Sequence, residues 1–409
     1  MNVLISGAGV AGLTLAWFLH HAGHRVVLVE QAAARRNAGY MIDFYGPGYD
    51  VAQLMGLLPE LRKAHVPIAR LAFLDGNGRE RAAVANRSLR RIFDGRHFNL
   101  LRSDLERILC VRVSEFVPVR FSTTVESLRE TPSRTAAVLS DGSSDVFDLV
   151  VGADGVHSNV RALVFGAARR FEAFLGYHAA ACLLHAPVRS QAAPDAFSMA
   201  SVPGKLVGVY PAGGGRYATF FLFRTEDRLR HGMPIEPLDR LRHAFADMGW
   251  IVPELLDLCD PSTLYYDEVT QTRMPHARSG HVALVGDAYP CVSLLAGEGA
   301  SLAMAGAFVL AEALCRDGSN VQGALLEYEL RMRPYVERRQ RAARRNARWF
   351  LPESRARLAL RNLLIRTTDW PVVMALLRHA FAPHSLLARS IRGHLAPVQR
   401  RWAADPMHN

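Results

Sequence analysis

The first 30 residues constrain this chain more than any other stretch. Residues 2–6 (NVLIS) form a short apolar run that ends in Gly7-Ala8-Gly9-Val10-Ala11-Gly12. Val10 to Ala22 then carries helical periodicity, and RVVLVE at 25–30 reads as a second buried strand. Strand, glycine turn, helix and strand make a βαβ unit, which demands a parallel sheet with helices packed on it. In such a turn Gly7 permits the tight bend, Gly9 lets a pyrophosphate approach the backbone, and Gly12 lets the helix sit close to the sheet. The phosphates would cap the helix start at Val10 and Ala11. Glu30 closes the second strand, where a carboxylate can take both hydroxyls of a ribose. This context predicts dinucleotide binding; the blander reading is a glycine-rich turn with no ligand.

The rest of the chain alternates in character. Strands are expected around 70–75 and 81–85, joined by the hairpin signal Asp75-Gly76-Asn77-Gly78. Ser103 to Val113 reads as a helix with Ser103 as N-cap, and short strands follow at 119–123, 124–130 and 135–140. Residues 171–274 are rich in short β-type runs with Gly/Pro turns, interrupted by one helical stretch at 237–258, and predict a mostly antiparallel sheet. HVALVG at 281–286 returns to a buried strand, followed by a helix from Gly297 to Leu314 rich in small residues. Leu325 onward is helical, with breaks expected at Pro334, Pro352, Pro371 and Pro383.

Charge and cysteine usage narrow the class. The 409 residues carry a net charge of +11, unevenly placed. Residues 331–409 hold 17 arginines against four acids, which leaves residues 1–330 at −2. No nucleic-acid-binding module accompanies the basic region, so no nucleic-acid partner is expected. Arg338, Arg341, Arg345 and Arg348 share one helical face, and a long helix with that face in water explains them better than a peripheral membrane contact. No uncharged apolar run is long enough to span a bilayer, and no signal peptide is evident. Five scattered cysteines without a CxxC pair argue against a disulfide framework or a metal site and for a reducing, cytoplasmic setting.

Two later segments bear on the cofactor. DLVVGADGVHSNVR, 148–161, places Asp154-Gly155 between a buried strand and a helix, and LVGDAYPCVSLLAGEG, 284–299, places Gly286-Asp287 likewise. With GAGVAG they resemble, in order and spacing over the first 340 residues, the three signatures of class A flavoprotein monooxygenases, the para-hydroxybenzoate hydroxylase family. The compact length is most similar to the tetracycline-modifying and polyketide-hydroxylating branch. The resemblance implies an α/β fold: a Rossmann-like FAD-binding domain of the GR2 type, an inserted, mostly antiparallel β-sheet substrate domain, and C-terminal helices. Expected boundaries are 1–70, 99–170 and 275–325 for the FAD domain, 71–98 and 171–274 for the substrate domain, and 326–409 for the basic helical region.

The same resemblance implies roles. Glu30 binds the adenosine ribose, while Arg36 and Arg102 lie where the family places arginines near the flavin chain and pyrophosphate. Asp154 organises the pyrophosphate and the nicotinamide approach, and Asp287 hydrogen-bonds the ribityl chain. Gly297, Gly299 and Ala300 present amides at a helix start near the flavin N1–C2=O edge, where a helix N-terminus stabilises the reduced ring. The implied activity is an FAD-dependent, NAD(P)H-driven monooxygenase using dioxygen and a flavin C4a-hydroperoxide to hydroxylate a hydrophobic, aromatic or polycyclic small molecule. A dehydrogenase, oxidase or cyclase on the same fold, or a non-catalytic flavin protein, are the alternatives.

The third signature departs from the family pattern. Pro290 stands in its His position, Ser293-Leu294 in the positions of a Pro-Pro pair, Glu298 for Gln and Ser301 for Asn. Losing the prolines predicts a looser loop, and restoring them is expected to spare FAD affinity. Cys291 offers a covalent flavin link, but a buried, inert thiol and non-covalent FAD are the expectation. Met199, Tyr210, Phe221 and Phe223 are large apolar side chains on predicted strands; Tyr210, Phe221 and Phe223 either line a substrate pocket or form the core of this sheet. No motif singles out a general base; His178, Tyr289 and Tyr210 are named only as residues to check, and no catalytic residue is assigned.

Overall fold

The computed structural model describes residues 1–35, 40–85, 95–184, 188, 195–229, 236–316 and 320–367. Strand Asn2–Ser6 lies inside a six-stranded sheet, parallel to Arg25–Val29 on one side and to Leu149–Gly152 on the other. Val282–Leu284 continues the parallel order, and Val119–Arg120 closes the opposite edge. Val3, Leu4 and Ile5 are fully buried, which is why residues 2–6 read as an unbroken apolar run: both faces of this strand are covered. Helices Val10–His21 and Gly299–Arg316 share its core, with the Phe18 and Phe308 rings 5.1 Å apart. Helix Gly299–Arg316 is long and apolar enough to cross a membrane, but Ser301 to Leu314 are buried in this core.

A second sheet has seven strands, in the order Tyr265–Thr272, Glu172–Leu184, Arg216–Arg224, Lys205–Gly213, Ala196–Val202, Arg70–Leu74 and Glu80–Ala85. All its pairings are antiparallel except that of Ala196–Val202 with Arg70–Leu74. The hairpin 70–85 turns at Asp75, whose carboxylate accepts from the Asn77 and Arg79 amides. One face of this sheet, through Val207, Val209 and Phe221, packs on helices Pro237–Phe245 and Val252–Asp257. The opposite face carries Leu206, Tyr210 and Leu222. It meets the two-stranded ribbon Met41–Tyr45/His97–Leu101, the 293–296 loop and the far end of helix Val321–Phe350.

Several expected boundaries shift. Helix Arg102–Ser114 starts one residue early, with Leu101 in the N-cap position and Ser103 inside the helix, buried. The helical stretch at 237–258 is two helices, separated at Gly249 and Trp250, where Trp250 takes φ +55. Pro334 does not break its helix: Val321–Phe350 runs through it. Pro334 is exposed, so the carbonyl it leaves unbonded can meet water, while buried Tyr328, Met332, Tyr335, Val336 and Gln340 hold the helix on the core. Pro371 and Pro383 lie outside the described residues. Arg338, Arg341, Arg345 and Arg348 are all exposed.

Candidate functional site

The glycine turn is closed on two sides and open on the third. Gly7 has φ +109, and a Cβ there would lie 2.5 Å from the Ala153 carbonyl oxygen. A Cβ on Gly12 would lie 1.9 Å from the Gly7 carbonyl oxygen, so only glycine allows this helix to reach the sheet. A Cβ on Gly9 would meet nothing within 4 Å. The first bond of helix Val10–His21 runs from the Leu13 amide to the Gly9 carbonyl (3.0 Å), leaving the Val10, Ala11 and Gly12 amides at an open helix start with no acid in its first turn. That opening fits a pyrophosphate. Glu30 stands beside it and accepts from the Ala8 and Ala32 amides at 2.9 Å each, which fixes the carboxylate and leaves further lone pairs for ribose hydroxyls. Arg36 lies outside the described residues; its neighbour Arg35 donates to the Ser103 carbonyl.

Asp154 follows strand Leu149–Gly152 and is tied into its own loop. Its oxygens accept from the Ser158 hydroxyl and from the Val160 amide at 3.0 Å, and Ser158 caps helix Asn159–Phe165. Burial pushes the Asp154 pKa up, opposed by these bonds. The neighbouring Arg161 went unassigned in sequence, yet it is the hinge pin of the region. Fully buried, it donates to Glu172 (2.5 Å), to the Val156 carbonyl (2.6 Å) and to the Ala288 carbonyl (3.1 Å). It thereby joins the second signature, the third signature and strand Glu172–Leu184 of the seven-stranded sheet.

Asp287 and Arg102 sit in one electrostatic cluster with Tyr40, Tyr265 and Cys291. Burial raises the Asp287 pKa, and Arg102 opposes that rise. Burial alone would lower the Arg102 pKa, but Glu106, Tyr40 and Asp287 outweigh it and hold the guanidinium firmly charged. Arg102 pairs with Glu106 at 2.9 Å, and its amide donates to the Tyr40 carbonyl at 3.0 Å. The Tyr40 and Tyr265 rings, 5.4 Å apart, flank this cluster; nothing in their local sequence spacing marked them as partners. Gly286 reaches the helix that follows the glycine turn so closely that a Cβ there would lie 2.7 Å from the Ala11 Cβ. The Cys291 thiol is buried, donates to the Thr270 carbonyl at 3.4 Å, and is held well above its ordinary pKa by burial and by Asp287. It is a protonated, inert group and no nucleophile for a flavin link.

The altered loop differs from expectation. Ser293 adopts φ +116, which proline cannot take, so the prolines of the family pattern cannot simply be restored here. The loop is held instead by packing: Leu294 and Leu295 join the cluster of Tyr177, Leu206, Leu222 and Val269, and the Ser293 hydroxyl accepts from the Leu295 amide at 3.2 Å. Gly297 takes φ +66 and gives its amide to the Leu294 carbonyl, so it closes this turn and does not start the next helix. That helix begins at Gly299, and its first bond runs from the Leu302 amide to the Glu298 carbonyl (2.9 Å), leaving the Gly299 and Ala300 amides at its open end. Ser301 replaces asparagine and does structural work, accepting from the Gly48 amide (2.8 Å) and donating to the Tyr45 carbonyl (2.6 Å).

Three substrate-side expectations need correction. Phe221 and Phe223 lie on the face packed against helices Pro237–Phe245 and Val252–Asp257, because their strand parity opposes that of Tyr210. His178 lies on that same far face, bonded to the Tyr266 hydroxyl at 2.9 Å and in edge contact with Phe223, so it is no general base for this site. Tyr210 faces the ribbon, but its buried phenol accepts from the Met41 amide at 2.8 Å and burial raises its pKa, which makes it a strut and a poor base. Tyr289 is buried against Tyr328, behind the third signature. Met199 is buried on the strand next to Gly208.

Comparison with known proteins agrees with this geometry. Residues 1–343 match the family model described as FAD binding domain. An uncharacterised protein of Mycobacterium tuberculosis is 32% identical over 83% of this chain and 91% of its own length. A flavin-dependent monooxygenase of Legionella longbeachae is 28% identical over 83% of this chain and 87% of its own length. Among solved structures, the tetracycline destructase Tet(51) superposes with a TM-score of 0.77 at 26% identity, covering 92% of this chain and 97% of the other. With an open helix start at the glycine turn, the Glu30 carboxylate fixed beside it and the second and third signatures packed against it, the chain belongs to the FAD-binding class A flavoprotein monooxygenases.

Proposed function

We propose that this enzyme uses NAD(P)H and dioxygen to hydroxylate a hydrophobic, aromatic or polycyclic small molecule. In balance, substrate C–H, dioxygen, NAD(P)H and a proton give substrate C–OH, water and NAD(P)+. Bound FAD supplies the redox chemistry, accepting two electrons and activating dioxygen. Gly9 and the Val10–Gly12 amides would hold the pyrophosphate, Glu30 a ribose, and Asp287 with Arg102 the chain toward the ring. The Gly299 and Ala300 amides, at an open helix start, would oppose negative charge on the reduced ring. Segments 1–70, 99–170 and 275–325 serve FAD in this reading, and 71–98 with 171–274 cover the substrate.

The observation that carries the reading is the placement of the seven-stranded sheet. Its Tyr210 face is turned toward the ribbon 41–45/97–101 and the 293–296 loop, on the side where the Asp287–Arg102–Tyr40 cluster lies. Apolar side chains there can exclude water from the reacting centre. The named activity of the Tet(51) relative, a tetracycline destructase, makes tetracyclic aromatic compounds the first substrates to try. The NAD(P)H requirement suits a cytoplasmic enzyme. The test is NAD(P)H oxidation by the yellow holoenzyme with a panel of aromatic polyketides under 18O2. A substrate that accelerates oxidation and gains one labelled oxygen supports the proposal. Oxidation of the substrate in strict absence of oxygen would replace it with a dehydrogenase.

A further inference from the structure

The arginine-rich helix Val321–Phe350 is not used by the site above, yet it lines a cleft directly behind that site. The cleft, about 390 Å3, lies between this helix and the end of strand Tyr265–Thr272. Arg273, Arg333, Arg341 and Arg344 line it with a single carboxylate, Glu337. Arg333 is committed to Glu329 at 2.6 Å. Among the described residues, Arg273, Arg341 and Arg344 make no ion pair: Arg344 donates to the Gln271 side chain and Arg341 to the Glu337 carbonyl. Arg273 and Arg341 depress the Arg344 pKa, after the larger effect of burial. Three guanidiniums without an ion-pair partner thus line one concavity, against the single carboxylate Glu337.

The floor of this cleft connects to the flavin loop through two hydrogen-bonded side chains. Gln340 donates to the Thr272 carbonyl (2.7 Å) and the Cys291 carbonyl (3.0 Å). The Thr272 hydroxyl donates to the Asp287 carbonyl at 3.0 Å. An anion seated here lies one hydrogen-bonded layer from the backbone that carries Asp287. The volume falls within the range of small-molecule sites, roughly 300–1,000 Å3, and convergent guanidinium forks match phosphate oxygens bidentately.

We propose that this cleft binds the phosphate groups of a soluble nucleotide, the pyrophosphate and phosphomonoester chemistry of the ADP half of a pyridine nucleotide. This rests on the NAD(P)H-driven reading above for the ligand's identity, while phosphate binding itself is read from the cleft alone. An open cleft with a polar floor of Thr272 and Gln340 favours a small anion over a lipid surface.

The test uses the full-length holoenzyme, with inorganic pyrophosphate and adenosine 2′,5′-bisphosphate as calorimetric probes. Both should bind, and affinity should fall as salt rises. The Arg341→Gln/Arg344→Gln variant should weaken them by about tenfold or more, the scale of one lost charge-assisted bond, and raise the KM for NADPH with kcat and FAD content unchanged. Arg345→Gln, on the same helix but outside the cleft lining, should change neither. Absence of binding, equal binding by the double variant, or binding only to phosphoinositide vesicles would overturn the proposal. If the probes bind as expected but no substrate elicits NADPH oxidation, the monooxygenase reading fails and the phosphate cleft stands.

Discussion

Glu298 and Arg339 form a largely buried ion pair, Nε to Oε2 at 3.1 Å, between the third signature and the arginine-rich helix. The Tyr45 hydroxyl donates to the other Glu298 oxygen at 3.2 Å, and Arg339 also donates to the Tyr335 hydroxyl. The glutamate that departs from the family's glutamine therefore arrives with its own counter-ion. Burial still raises the Glu298 pKa, with Arg339 opposing.

Arg339→Met should destabilise the protein by about 3–5 kcal/mol, the usual cost of stranding one partner of a buried pair. The loss should grow with pH. A carboxyl whose folded pKa is raised contributes full stability below its ordinary pKa near 4.5 and loses it as pH rises through the folded value. Without Arg339 that window widens upward. Thermal melts from pH 4 to 8 check the slope; a pH-independent loss would mean that packing alone is at stake. Because Glu298 immediately precedes the helix start assigned to the reduced ring, the same variant should lower the flavin midpoint potential, and Glu298→Gln should raise it.

Gly9→Ala and Gly12→Ala should separate binding from folding. Gly9→Ala adds a methyl in open space, so the apoprotein should melt as wild type while FAD affinity falls at least tenfold. Gly12→Ala drives a methyl into the Gly7 carbonyl and should destabilise the apoprotein itself. Glu30→Ala should weaken FAD more than FMN, by about 1.5–3 kcal/mol for a charged hydrogen bond. Fluorescence titrations of apoprotein with both flavins measure these differences.

Ser293→Pro should abolish the loop's geometry, because φ +116 lies outside the reach of the pyrrolidine ring. Soluble yield and FAD content should both drop. Ser293→Gly should be tolerated and relieve backbone strain worth about 1 kcal/mol or more, against the loss of the hydroxyl's bond to Leu295. A stable, yellow Ser293→Pro protein would show that the loop adopts another conformation when FAD is bound.

Arg161→Met should destabilise by about 3–5 kcal/mol, since Glu172 and the Ala288 carbonyl lose their buried donor. Urea unfolding measures it. Because Arg161 bridges both sheets, the transition should also broaden if the sheets then unfold separately.

How much of this was legible in sequence depended on the range of the interaction. The glycine turn, the Glu30 strand end, the Asp75 hairpin and the buried helix after Gly299 follow from local periodicity and from backbone conformations that only certain residues adopt. Those are properties of neighbouring residues, and the sequence by itself determined them, together with the order of the three signatures. Tertiary structure alone decided which face of the seven-stranded sheet Phe221 and Tyr210 occupy: strand alternation says they differ, but not which side meets the helices. It alone paired Glu298 with Arg339 and Arg273 with Arg344, which are distant in the chain and meet only once the sheets and the long helix are in place, and it set Arg161 against Glu172 by packing helix Asn159–Phe165 beside the strand that follows it. It also let Val321–Phe350 pass through Pro334 and set Ser293 at positive φ, where burial of Tyr335 and packing of Leu294 outweigh the local preferences against them.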